Sequence, residues 1–397
     1  MDFKDLLNKY KEGNASAEQI KFVEEELSKY ELIQEYLCEG YDIRFEKDTF
    51  KEDVLKGNVR EETALVKRSV NKRLKKVIAT SVSIVFLILF TIFYLISPIL
   101  NNFYYNPSEK TVGRYNQNLY FDLKAFTELN LPGYTLNNAY SESSGFGAYN
   151  IYFQRRNLFT GDVKSINAKI KRNVRIRSFE DLFETSYLGF ACIRQPGTNE
   201  NEFLKGQKDR VINHIDELNP VSYISAYITF ENDLTMKGFD ELNKKYNNKM
   251  SFKWVGVRTV GEGDPIDYLS GFIPGPNDQS VTNDSADKDK YPALQLVDIM
   301  MDENNDNNYN MEVAYTKHFI SLLKYMIDRE KAVKVLDENN NKMEYYKDTL
   351  NYVENNGVNT YGVLVCGEAR DLLEFINNEK VKTIEIDNVS PSKKYIH

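Results

Sequence analysis

From Val77 to Ile96 the chain reads VIATSVSIVFLILFTIFYLI, without one charged residue. Such a stretch must satisfy its backbone polar groups without water, and a helix does so within one segment. As a helix, roughly 20 residues cover roughly 30 Å, the thickness of a bilayer's hydrocarbon core. A core helix of this length is rarely apolar on every face. A secretory leader would begin with a short basic segment rather than 76 preceding residues. The expectation is one membrane-spanning helix over residues 77–100, broken at Pro98, with Asn101 and Asn102 marking the exit. Phe103, Tyr104 and Tyr105 are placed to form an aromatic belt at the far interface.

The flanks give an orientation. Lys67, Arg68, Lys72, Arg73, Lys75 and Lys76 crowd the N-terminal side, forming a basic segment over 67–76. On the other side the first charge is Glu109, with Lys110 and Arg114 nearby. Basic residues stay on the cytoplasmic side, so residues 1–76 are expected in the cytoplasm and the remainder outside the cell membrane. The basic run suits anionic lipid headgroups. A net charge of −8 argues against a protein that grips nucleic acid along its surface.

Residues 1–66 read as a helical module. Phe3, Leu6, Leu7 and Tyr10 recur at i, i+3, i+4 and i+7. Gly13-Asn14 stops that helix, and Ser16 with Gln19 makes a capping-box pattern for the next. The second helix carries Ile20, Val23, Leu27, Tyr30, Ile33 and Leu37, with an acidic run at Glu24, Glu25 and Glu26; Gly40 ends it. The stretch 42–62 is expected to be partly helical, with Phe45, Phe50, Val54 and Leu55 as its apolar residues. So small a unit buries little core alone, so its apolar stripes are expected to bind a protein partner. The acidity suits a basic partner surface.

Beyond a polar linker over 101–115, the C-terminal domain (116–397) is mixed. Alternation over 148–153 predicts a strand with Tyr149, Ile151 and Phe153 on one face, and Ile166, Ala168, Ile170, Val174 and Ile176 predict another over 166–176. Residues 179–187 and 203–217 read as helices. A βαβ pattern follows: strand 223–230, helix 234–246, strand 250–259. A second closes the chain: strand 361–366, helix 369–377, strand 381–386. Two such units give an α+β fold with a ferredoxin-like α/β sandwich. Between them, long helices are expected at 310–336 and 343–354, and the Gly-, Pro-, Asn- and Asp-rich stretch 261–310 reads as exposed loops.

The opening FKDLLNKYKEGNASAEQIKFVEEELSKYELIQEYL, the basic segment and the single span together resemble the sigma-factor regulator family, membrane-bound anti-sigma factors. LPGYTL (131–136), GFGAYNIYF (145–153), SYISAYITFEND (222–233) and FKWVGVRT (252–259) look like that family's C-terminal domain. The resemblance implies that the N-terminal stripes bind an extracytoplasmic-function sigma factor. It also implies that the outer domain senses an envelope signal, through an envelope ligand or a second membrane regulator. Many anti-sigma factors use a His/Cys zinc motif, but residues 1–76 hold Cys38 and no His, so the resemblance is to a zinc-free branch.

No cofactor or metal is expected. Asp302, Asn304, Asp306 and Asn308 have calcium-loop spacing, but Asn307 and Val313 stand where the loop needs Gly and Glu. The GEGD loop at 261–264 lacks a following Lys-Ser/Thr. Cys366-Gly367-Glu368 has no neighbouring His to make a nucleophile. An enzyme is therefore not expected. Cys192 and Cys366 have two readings, an extracellular disulfide or two buried thiols. The rival to the regulatory reading is a membrane-tethered envelope protein whose outer domain binds or modifies cell-wall material, with the N-terminus as an anchor.

Overall fold

The protein is described from a computed structural model covering residues 3–39, 59–177, 189–194, 200–279, 284, 286–300, 310–337 and 341–393. Two compact units divide the chain, residues 1–79 and 80–397. The expected apolar positions Phe45, Phe50, Val54 and Leu55, the helix at 179–187 and the acidic run 302–308 lie outside the described residues.

In the first unit, α1 (Phe3–Lys11) and α2 (Ala17–Glu39) are joined by a tight turn. Gly13 takes φ +71°, and the N–H groups of Gly13 and Asn14 donate to the carbonyls of Tyr10 and Lys9. This is the double cap that a left-handed residue after a helix permits. Gln19 accepts from the Ser16 N–H at 3.1 Å, closing the predicted cap of α2.

α3 (Val59–Thr91) runs through the basic segment into the apolar one and continues as a π turn (Ile92–Ile96) and α4 (Ser97–Phe103). The stretch Lys67–Phe103 is long and apolar enough to cross a membrane. The helix does not break at Pro98, as the sequence suggested. Pro98 sits in the first turn of α4, where its missing N–H costs no bond, and the Ser97 N–H reaches back to the Ile92 carbonyl in π fashion. Tyr105 is also not part of an interfacial belt: it is buried in the C-terminal core.

The C-terminal region begins with α5 (Asn118–Asn130), all of whose residues are buried. It packs on a four-stranded antiparallel meander, β1 (Tyr134–Gly145), β2 (Ala148–Asn157), β3 (Val163–Lys171) and β4 (Val174–Arg177). The single strand expected over 166–176 is thus a hairpin. Arg172 (φ 51°) and Asn173 (φ 66°) form a two-residue loop of type I′ character. Ile166, Ala168 and Ile170 point to the core, whereas Val174 is exposed. Two short elements follow, α6 (Ala191–Arg194) and α7 (Glu200–Asp216).

A five-stranded sheet comes next: β5 (Tyr223–Thr235), β6 (Met250–Val257), β7 (Gly271–Phe272), β8 (Asn359–Glu368) and β9 (Val381–Ser390). Its order is β7-β6-β8-β5-β9, with every pair antiparallel. Without β7 this is the split βαβ order of a ferredoxin-like sheet, as the two βαβ patterns imply. The crossover helices are α8 (Met236–Tyr246), capped by the Thr235 hydroxyl, and α13 (Ala369–Asn378). Ile224, Ala226 and Ile228 of β5 join the main core, while Tyr227, Trp254, Tyr361 and Leu364 join a second cluster. A sheet covered on both faces explains the unbroken burial of β5 from Tyr223 to Phe230.

The insertion between β6 and β8 holds α9 (Leu296–Met300), α10 (Met311–Asp328), α11 (Glu330–Leu336) and α12 (Lys342–Asn356). The helix expected over 310–336 is interrupted at Arg329, which turns its side chain to Asp122. The described part of 261–310 is not simply an exposed loop. Ile266, Leu269 and Ile273 are buried in the second cluster, and Leu294 and Leu296 in the main core. The expected linker is tied down as well, since Asp284 accepts from the backbone N–H groups of Arg114, Tyr115 and Asn116.

Candidate functional site

The N-terminal helical pair carries a run of exposed apolar side chains outside the membrane-length segment. Phe3 meets Phe22 edge to face at 6.3 Å, which ties α1 to α2. Leu6, Leu7 and Tyr10 are half-buried, and Val23 is fully buried as the packing residue of α2. Ile20 and Leu27 are partly open, and Tyr30, Leu32 and Ile33 are exposed by 69, 63 and 56 %. Leu37 lies in α2, but its side chain is outside the described set. Pattern reading missed Phe22 and Leu32. Both fall off the 3.6-residue stripe, and only the pairing of Phe22 with Phe3 identifies it. Charged groups surround the apolar ones: Glu24 and Glu25 are exposed, and Lys29 pairs with Glu26 at 2.5 Å. Lys67, Arg68, Lys72, Arg73, Lys75 and Lys76 line α3 and are all exposed.

Several polar groups buried in the C-terminal region pair with one another. Glu128 on α5 accepts from the Ile273 N–H and the Gln279 amide, and lies 2.8 Å from Nε2 of His318. His318 Nδ1 donates to the Ala293 carbonyl at 2.6 Å. Burial opposes the charge on Glu128, but the facing His318 and Lys124 hold its carboxyl below the ordinary range. Asp122 accepts from Tyr105, Tyr325 and both arms of Arg329. Burial and the Asp122 charge push both phenols well above their usual range. Burial brings Lys124 down to about 8 and raises the Cys366 thiol to about 12. Cys192 and Cys366 are free, buried thiols, and Cys192 contacts the Thr229 and Thr383 hydroxyls. Sealed in β8 and raised by burial, the Cys366 thiol is a poor nucleophile and a poor metal ligand. Among the described residues no His, Cys, Asp and Glu group could hold a metal ion.

An open cleft of about 300 Å³ lies at one end of the five-stranded sheet, lined among others by Tyr223, Asn247, Asn248, Lys249, Asp278 and Lys393. Its cations are largely paired, Lys249 with Glu374 and, beside it, Lys253 with Asp278.

Comparison with known proteins agrees with this architecture. Residues 215–388, the five-stranded sheet and its insertion, match the family described as sigma factor regulator C-terminal. A stretch of 71 residues, 18 % of the chain, is 35 % identical to the probable anti-sigma-M factor YhdL of Bacillus subtilis (strain 168). That stretch spans only 19 % of the length of that relative. No solved structure matches. The chain is thus similar to sigma-factor regulators over residues 215–388 and over that 71-residue stretch. The matched region includes SYISAYITFEND and FKWVGVRT, whereas LPGYTL and GFGAYNIYF lie before it.

Proposed function

We propose that this chain is a membrane-anchored anti-sigma factor. Its α1–α2 pair holds an extracytoplasmic-function sigma factor at the cytoplasmic face, and residues beyond the span lie outside and release that factor on an envelope signal. The observation that carries the reading is the exposed apolar surface of α2 in a chain whose C-terminal region matches a sigma factor regulator domain. Exposed Leu, Ile and aromatic groups ringed by carboxylates suit a partner with an apolar groove and a basic rim. Phe3, Leu6, Leu7, Tyr10, Ile20, Leu27, Tyr30, Ile33 and Leu37 are the proposed contact set, to which the exposed Phe22 and Leu32 are added. Val23 supports them from inside. The six basic residues at 67–76 fix the orientation and meet anionic lipid. An envelope ligand or a second membrane regulator would act on the outer region.

The test uses the full chain with Ile33→Asp, chosen because Ile33 is exposed and its loss leaves the helical pair intact. A buried, uncompensated carboxylate costs several kcal/mol, so capture of the co-expressed sigma factor should fall about a hundredfold or more. A reporter for that factor should become constitutive while the membrane level of the variant is unchanged. Glu25→Ala should weaken capture only slightly, and chiefly at low salt. Normal repression by Ile33→Asp would remove the α2 surface from the interface.

A further inference from the structure

Two tight turns of the meander meet the C-terminal end of the membrane-length helix. The first joins β1 to β2 through Phe146 and Gly147, which take φ of +54° and +73° between the paired residues Gly145 and Ala148. Positive φ at both positions makes a type I′ turn, whose first position normally holds Asn, Asp or Gly. A phenylalanine there works against the backbone preference. Its local surroundings supply the reason: its ring meets Phe93 of the π turn edge to face, with centroids 5.7 Å apart. The Phe146 N–H donates to the Ser97 hydroxyl at 3.0 Å, and the buried Gly147 N–H donates to the Asn101 side chain at 2.9 Å. Phe93, Ser97 and Asn101 recur every four residues and so offer one side of the helix to the turn.

The second turn, Arg172-Asn173 between β3 and β4, grips the chain one step later. Asn173 accepts from the Tyr105 N–H at 2.8 Å, and the Arg172 N–H donates to the Gly147 carbonyl at 2.8 Å, locking the turns together. Lys331 of α11 adds a bond to the Asn102 carbonyl. Every contact falls between residues 93 and 105, beginning at the one irregular turn of the helix.

We propose that these two turns form a clamp that fixes the C-terminal end of the membrane-length helix to the sheet. The π turn at 92–96 is the joint that absorbs movement when the clamp opens. A displacement of the meander is thereby passed to the helix through Phe146, Ser97 and Asn101. The inference rests on these contacts alone and stands whether or not the chain binds a sigma factor.

The test is hydrogen–deuterium exchange of the full chain in lipid nanodiscs. Phe146→Gly is the deciding variant. Glycine suits φ > 0, so it relaxes the hairpin turn while deleting the ring that reaches the helix. Peptides covering 92–105 and 145–149 should exchange at least about tenfold faster in Phe146→Gly, which removes the ring contact, and in Ser97→Ala/Asn101→Ala, which removes the acceptors of the turn N–H groups. Peptides 223–230 and 361–366 should be unchanged. Tyr140→Ala, on the same hairpin away from the helix, should leave 92–105 unchanged. Protection over 92–105 that is unchanged or greater in Phe146→Gly would mean that the turn serves the hairpin only, and would overturn the clamp. Faster exchange across the five-stranded sheet in that variant would also overturn it, since the contact would then support the whole unit.

Discussion

In α2, Phe22, Tyr30, Leu32 and Ile33 stand in the open, whereas in β5 the side chains of Ile224, Ala226 and Ile228 are completely covered. The two regions contain similar residue types and treat them in opposite ways. The C-terminal region closes its core on both sides of a sheet and pairs its buried charged groups, Asp122 with Arg329 and Glu128 with His318. The helical pair is held by two caps, the Phe3–Phe22 ring contact, the Tyr10–Glu24 hydrogen bond and Val23, with several of its apolar side chains left open. That difference is what the proposed α2 interface rests on: the first region covers its own apolar side chains and the second leaves several open.

The largest effect that could break this contrast is a core truncation. Phe239, on α8, packs against Phe252 and Tyr315 and is fully buried. Phe239→Ala should destabilise the C-terminal region by about 3–5 kcal/mol in denaturant unfolding of the full chain in detergent. Tyr30→Ala should change stability by under about 0.5 kcal/mol. A comparable loss from Tyr30→Ala would mean that α2 is packed rather than offered.

A second effect belongs to the buried lysines. Burial brings both Lys124 and Lys342 down to about 8. In the unfolded chain a lysine keeps its proton to about pH 10.4. Between these values the unfolded state binds more protons, so stability rises with pH through this window and does not change below it. The gain should be at most about 3 kcal/mol per lysine. The midpoint of the native chain should therefore gain on that of Lys124→Met/Lys342→Met between pH 8 and 10, the raised Cys366 thiol and phenols being common to both. A difference that stays flat or shrinks over that range would contradict the burial assigned to both lysines.

The smallest effect sharpens the other side. Gly13 must hold φ +71° to complete the cap between α1 and α2. Gly13→Ala should cost about 1 kcal/mol of helical stability, read by circular dichroism of the N-terminal segment, with no change in the C-terminal transition.

Legibility from the sequence followed the kind of signal each element carries. The membrane-length helix was plain because twenty uncharged residues need no periodicity. The βαβ units were readable because a strand, a helix and a strand each keep their own period; the strand order was not, since no local signal says which strands pair. α5 was invisible for a physical reason. NLYFDLKAFTELN is buried all round, so it has no polar stripe, and its charged residues find partners far away: Asp122 at Arg329, Glu128 at His318, Lys124 at Gln295. The stretch 261–310 misled because Gly, Pro, Asn and Asp report an irregular backbone and not exposure. At the candidate site the capped helices and most of the apolar stripe were legible. Phe22 and Leu32 were not, since a helix with an unmet partner can carry apolar groups on more than one side.

The strand order has a consequence for how the protein is made. β5 pairs only with β8 and β9, and β6 pairs with β8 beyond its two-residue contact with β7. More than a hundred residues of insertion are synthesised before β8 arrives. Until then β5 and β6 are apolar strands with bare edges, open to wrong pairing. The central sheet therefore closes late and all at once, and a chain cut short before residue 359 would leave these strands as substrates for quality control rather than a smaller working domain.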